Sequence, residues 1–248
     1  IPTHILNEKD PIFVFSKSII DATHKYSVAY KPNLAFFEAY GIEGWKAFEK
    51  TIDYLNKNYP NHFIIADAKR GDIGNTSGRY AKAFFETYGV DAVTISPYMG
   101  RDSIEPFLSF KDKYAVLLTL TSNEGSRDFQ YIEQKGVPVY EKVLRLSTKF
   151  ENAHKLMYVV GATKSENLKS IRNIVPDSFL LIPGVGAQGG NLKEVVLNGI
   201  NSNCGLIVNS SRGIIYASQG NDFVEKAAEK AFELQKEMSE YLKLFKII

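Results

Sequence analysis

Short apolar runs alternate with helical repeats along the whole chain, and this alternation limits the available folds more than any single motif. The runs lie at 26–33, 63–69, 92–97, 114–122, 156–163, 179–186 and 205–213. They are rich in Val, Ile and Tyr and close on polar, Gly or Pro residues, as strands do. Their nearly continuous apolarity predicts burial on both faces, the condition of a parallel sheet. Between them apolar residues recur at helical spacing. Ile12, Phe15, Ile19, Ala22 and Tyr26 share one face, with Lys17, Asp21 and Lys25 opposite. Trp45, Phe48, Ile52, Leu55 and Tyr59 repeat the pattern, as do Tyr80, Phe84 and Tyr88, then Val139, Val143, Leu146 and Phe150. A last helix is predicted from Val224, Ala228, Ala231, Met238, Leu242 and Phe245. The aromatic members are expected in the core.

Strand following helix throughout predicts an α/β chain of βα units. Seven equal repeats favour a (β/α)8 TIM barrel over an open doubly wound sheet. The chain opens on "IPTHILNEKDPIFVF", which reads as a loop feeding a helix, so the first barrel strand is expected ahead of Ile1. No Pro/Gly/Ser linker is visible, and residues 1–248 are expected to form one barrel domain. The stretch from Ser122 to Lys155 is long for a βα connection and is expected to hold an extra loop beside its helix.

Composition narrows the function classes. The net charge is only +2 and no basic run occurs, so nucleic-acid binding is not expected. Cys204 is the sole cysteine, which leaves no disulfide framework and no Cys-based metal site. With no signal-peptide pattern, a reducing, cytoplasmic setting is expected. No window approaches the ~20 apolar residues of a membrane span. The histidines at 4, 24, 62 and 154 lie away from the C-terminal ends of the runs and read as surface or packing residues.

A βα barrel keeps its chemistry at the C-terminal ends of its strands. Those positions hold Lys31 and Asn33, then Asp67, Lys69 and Asp72, then Ser96, Pro97, Thr121, Ser122 and Thr163. Pro183, Gln188, Ser211 and Arg212 complete the set. Asp67 and Lys69 are two apart, so in a strand they point to one side and are expected to be buried together. A buried lone charge is costly, whereas a lysine beside an aspartate can stay charged. Lys31, on the neighbouring strand, can reach the same place. Asp72 lies past the strand end, on a loop that can serve its own site or a partner's. The alternative is a surface salt-bridge cluster opening a helix near Gly74.

"PGVGAQGG" at 183–190 matches G-x-G-x-x-G. A dinucleotide site requires an acid about 20 residues on, and Asn209, Ser210 and Ser211 stand there instead. The glycines can still present backbone N–H groups to an anion, and Arg212 can grip a phosphate with two parallel hydrogen bonds. A bare structural turn is the alternative.

"DAKRGDIGNT" at 67–76 resembles the D-x-K-x-x-D-I-x-x-T signature of the orotidine 5′-phosphate decarboxylase family. "KPN" at 31–33, "PGVGAQGG" and Arg212 are similar in order and placement, and the forms look most like the family's longer bacterial branch. The resemblance implies decarboxylation of orotidine 5′-monophosphate (OMP) to UMP in pyrimidine synthesis, without metal or cofactor. It implies a Lys31–Asp67–Lys69–Asp72 array in which Lys69 protonates C6 and Asp67 faces the substrate carboxylate. It further implies a homodimer, with Asp72, Ile73 and Thr76 serving the partner's site. Asn33, Ser122 and Pro183 would bind substrate, Ser122 at the pyrimidine edge, and Gln188 and Arg212 would hold the phosphate. Two departures stand out. The family's ribose-contacting Asp belongs to a strand expected ahead of Ile1, and Ser211 replaces the Gly that often precedes the phosphate-binding Arg.

Two rivals follow. A magnesium-dependent sugar-phosphate decarboxylase or synthase of the same superfamily would place an acid where Lys31 stands. A non-catalytic phosphate-ligand sensor would have no need of a buried lysine flanked by acids.

Overall fold

The structure is a computed structural model that describes residues 1–186 and 189–248. Its strands are β1 (Ala29–Tyr30), β2 (Phe63–Arg70), β3 (Ala92–Ile95), β4 (Tyr114–Leu120), β5 (Glu133–Gln134), β6 (Val137–Pro138), β7 (Leu156–Val160), β8 (Leu180–Pro183) and β9 (Leu206–Asn209). The helices are α1 (Pro11–Thr23), α2 (Ala35–Glu38), α3 (Gly41–Asn58), α4 (Gly74–Lys82), α5 (Glu105–Leu108), α6 (Ser126–Phe129), α7 (Val139–Ser147), α8 (Ser165–Ile174), α9 (Leu192–Gly199), α10 (Arg212–Ile215) and α11 (Phe223–Leu244). β5 and β6 form an antiparallel hairpin. The other seven strands make one parallel sheet in the order β1-β2-β3-β4-β7-β8-β9, curled into a near-closed barrel. Among the described residues no further strand bridges the edges β1 and β9, so the expected eighth strand is not among them.

The two-residue period of a strand sorts the apolar runs into two cores. Ile65, Ala92, Val116, Met157, Val159 and Leu181 meet inside the barrel, joined by Phe63, Leu118 and Ile207. Their neighbours Ile64, Ala66, Val93, Ile95, Ala115, Leu117, Tyr158 and Ile182 belong to the larger layer between sheet and helices. Doubly buried strands therefore read as unbroken apolar sequence.

Several expectations are corrected. β1 is much shorter than 26–33, because Tyr26 closes a 3-10 turn and Pro32 has no N–H to donate. The connection after β4 holds α6 and the β5–β6 hairpin before α7. On α7 the buried face is Tyr140, Leu144 and Ser147, while Val139 and Leu146 are exposed. Tyr140 sets that face by packing edge-on against Tyr131 and accepting from Asn167. On α11 the buried residues are Phe223, Ala227 and Ala231, because Phe223 stacks on Phe15 of α1; Phe245 is exposed. Tyr80 lies at the surface, under the Arg70 guanidinium. No described helix is long and apolar enough to cross a membrane.

Candidate active site

The inward positions of β2 carry Phe63, Ile65 and then Asp67, so an apolar barrel interior ends in a carboxylate. Asp67 is only 8% exposed. Its backbone is anchored across the sheet: its N–H donates to the Pro32 carbonyl at 2.9 Å, and its carbonyl accepts from Leu34 at 3.2 Å. These bonds form the bridge to Asn33 that carries Lys31 alongside. Lys31 Nζ then lies 2.6 Å from Asp67 Oδ2, with the lysine side chain 12% exposed. Lys69 Nζ sits 2.6 Å from the other oxygen, Oδ1. Two of the predicted side chains, Lys31 and Lys69, thus gather on the carboxylate of the third, Asp67.

A regular strand would bury Lys69 beside Asp67, and β2 is not regular at this point. Lys69 is half-exposed at the rim rather than buried with Asp67. The register with β3 slips between Ala66 and Arg70, and Lys69 takes a left-handed backbone with φ 47°. For a non-glycine residue that conformation costs roughly 1–2 kcal/mol. Two contacts hold it. The Lys69 N–H donates to Thr94 Oγ1 at 2.9 Å, and Arg70 O accepts from Ser96 at 2.8 Å. Arg70 faces away from the cavity, pairing with Glu38 and lying over the rings of Tyr80 and Phe84.

Burial pushes the Asp67 carboxyl up, but the Lys31 and Lys69 ammonium groups outweigh it and hold the group below its ordinary value. Asp67 therefore stays ionised with both oxygens covered by cations. Among the described residues no three His, Cys, Asp or Glu side chains come together as a metal would require.

Above the carboxylate opens a cavity of about 240 Å³ lined by Lys31, Asp67, Lys69, Thr94, Ser122, Pro183 and others. Ser122 is placed by a close backbone approach. A Cβ on Gly161 would lie 2.7 Å from the Ser122 nitrogen, so only glycine lets the end of β7 run flush against that residue. Pro183 also borders a second cavity of about 60 Å³, formed with Gly184, Asn209, Ser210, Ser211 and Arg212. Gln188 lies outside the described residues.

Asn33 sits at the bridge to Asp67 and does not line the cavity; its Oδ1 accepts from the Ala35 N–H at 3.2 Å. Asp72, Ile73 and Thr76 do not line it either. Asp72 Oδ1 accepts from the next N–H, that of Ile73, at 2.8 Å. Ile73 and Thr76 are exposed at the start of α4.

The model of the orotidine 5′-phosphate decarboxylase / HUMPS family matches residues 15–229. The chain belongs to that family. It is 60% identical over 242 residues to an orotidine 5′-phosphate decarboxylase of Flavobacterium johnsoniae, covering 98% of this chain and 89% of the relative. Among solved structures it resembles the Leishmania donovani OMP decarboxylase, with a TM-score of 0.79 at 34% identity, covering 90% of this chain and 88% of that one. The Plasmodium berghei orotidine 5′-monophosphate decarboxylase gives a TM-score of 0.84 at 29% identity, over 98% of this chain and 78% of that one.

The sequence reading of this family member missed part of the cavity wall. Thr94, Leu118, Val159 and Leu181 line it as well. The signal available was parity: Thr94, Leu118 and Val159 each lie two positions beyond an inward residue of their strands (Ala92, Val116 and Met157), and Leu181 pairs with Val159. Asn123 lines it too, beside Thr121, which was expected at its strand end; Gln130 holds Thr121 by accepting from its N–H and donating to its hydroxyl.

Proposed function

We propose that the chain decarboxylates orotidine 5′-monophosphate to UMP without a metal, with Lys69 as the proton donor. The observation that carries this reading is one buried carboxylate with a lysine on each oxygen, in the wall of a cavity of about 240 Å³. The substrate carboxylate approaches Asp67. Two unit charges 4 Å apart repel by roughly 4 kcal/mol at an effective dielectric of 20. As the bond from C6 to the carboxylate breaks, carbon dioxide leaves and the electron pair stays on C6. The Lys69 ammonium stabilises that charge and passes a proton to C6, and the resulting amine regains a proton from solvent. Arg212, with Ser210, Ser211 and Gly184, receives the phosphate in the smaller cavity. Gln188, which the family resemblance pairs with Arg212 on the phosphate, lies outside the described residues. Binding energy gathered there offsets the repulsion at the reacting carbon. Ser122 reads the pyrimidine edge, Pro183 separates the two cavities, and Asn33 holds the strand end beside Asp67.

The magnesium-dependent rival needs open carboxylate oxygens, and both oxygens of Asp67 are engaged by lysines. A sensor has no use for a lysine held strained beside a buried acid. Absorbance loss of orotidine 5′-monophosphate should accompany UMP and carbon dioxide in equal amounts; nucleotide binding without turnover would favour the sensor.

Asp72 completes the array from a second copy of the chain, and Ile73 and Thr76 line that copy's site. Three facts favour this: none of the three residues reaches the cavity, Ile73 is 57% exposed, and the Asp72 side chain turns back to accept from the adjacent Ile73 N–H. Mixing inactive Asp72→Ala chains with inactive Lys69→Ala chains should restore activity. Equal random mixing gives one intact site in each mixed dimer, hence about a quarter of the parental rate. No recovery despite proven subunit exchange would assign Asp72 to its own chain.

A further inference from the structure

Between Ala66 and Arg70 of β2, three residues (67, 68 and 69) face a single residue of β3, Thr94. A bulge of this kind leaves backbone groups without ladder partners and re-aims the side chains on it. Thr94 fills the gap with its side chain. It is 2% exposed and lines the larger cavity. Its hydroxyl accepts from the Lys69 N–H at 2.9 Å and lies 3.0 Å from Asp67 Oδ1. The polarity of this pair is fixed by chemistry. An N–H can only donate and a carboxylate can only accept, so the single hydroxyl proton must point at Asp67.

We infer that Thr94 is a positioning residue for proton delivery, tying the strained Lys69 backbone to the Asp67 carboxylate so that the ammonium is held at C6. This rests on the reading of Lys69 as the proton donor. Two anchors define where Lys69 Nζ sits. One is its own 2.6 Å bond to Asp67 Oδ1; the other is the backbone bond that keeps Lys69 left-handed. Thr94 supplies the second directly. It supports the first by fixing the oxygen that Lys69 shares with it. Nothing in this arrangement touches the phosphate end of the site, where Arg212 stands. Loss of the hydroxyl therefore disturbs chemistry without disturbing nucleotide capture.

The test compares Thr94→Val, which keeps the shape and removes the hydroxyl, with Thr94→Ser, which keeps the hydroxyl. Thr94→Val should lower kcat by about 10- to 100-fold, the scale of a displaced catalytic group. Its dissociation constant for UMP should stay within about threefold of the parent's, and Thr94→Ser should regain nearly all of kcat. A purely structural threonine would instead lower Tm in the valine variant while kcat of the folded protein stays parental, and that result overturns the inference. Equal loss of kcat in both variants overturns it as well, as does a parallel loss of UMP binding. Should Thr94→Val fail to fold, Thr94→Cys takes its place, since a thiol is a weak donor and acceptor; a parental kcat there has the same contrary meaning. Lys69→Ala measured alongside separates the two levels. Turnover surviving in that variant removes the proton-donor reading itself, whatever the Thr94 variants show.

Discussion

Lys69→Ala is expected to lower the turnover of orotidine 5′-monophosphate by at least about 10⁴-fold while UMP binding stays within about threefold of the parent's. The size follows from two roles on one atom. A placed general acid contributes roughly 10²- to 10⁴-fold, and one preorganised charge aimed at developing negative charge roughly 10²- to 10³-fold. Alanine removes both at once. Binding persists because the phosphate cavity at Arg212 is built from other strands. Lys69 is half-exposed, so its loss leaves no buried hole. Steady-state kinetics with UMP titration give both readings. A kcat within tenfold of the parent's would remove Lys69 as the acid.

Asp67→Asn is expected to destabilise the fold by about 3–5 kcal/mol and to abolish turnover. Lys31 is 88% buried and has its charge matched by Asp67. An amide of the same shape cannot neutralise it, and breaking a buried pair is far costlier than never having made it. The asparagine keeps one acceptor oxygen, so either Lys31 or the Lys69 and Thr94 donors meet an NH2 group instead. The parent carries a matching pH signature. The Asp67 carboxyl lies lower in the folded chain than its ordinary 3.8, because Lys31 and Lys69 outweigh its burial. Its contribution to stability is therefore fully present above about pH 3.8 and is lost as pH falls through the depressed folded value. The variant lacks that acid-side slope. Urea denaturation at neutral and acid pH measures both effects. Equal stability of parent and variant at neutral pH would show that the Lys31–Asp67 pair is not required by the barrel.

Much of this site is legible from residue order. The strand runs announce themselves because parallel strands are apolar on both faces, and a charge such as Asp67 at the end of such a run has nowhere to go but the barrel mouth. Lys31 follows because the strands are adjacent. The geometry at Lys69 is not legible, because a two-residue period assumes a regular strand and the β2–β3 register breaks at that point. For the same reason Thr94 passes for an ordinary β-branched strand residue. Its importance lies in the three residues opposite it, which no count along its own strand contains. The face of α7 is displaced by one position, and on α11 Phe223 and Ala227 replace Val224 and Ala228 while Ala231 and Met238 pack as expected, because Tyr140 and Phe223 are set by contacts with other elements.

The cations on the carboxylate of Asp67 are lysine side chains, and the proposed reaction runs without a metal. Turnover of orotidine 5′-monophosphate by protein stripped with excess chelator measures this directly. The expected rate equals that of untreated protein and is indifferent to added magnesium. Activity that vanishes with the chelator and returns with magnesium would contradict it.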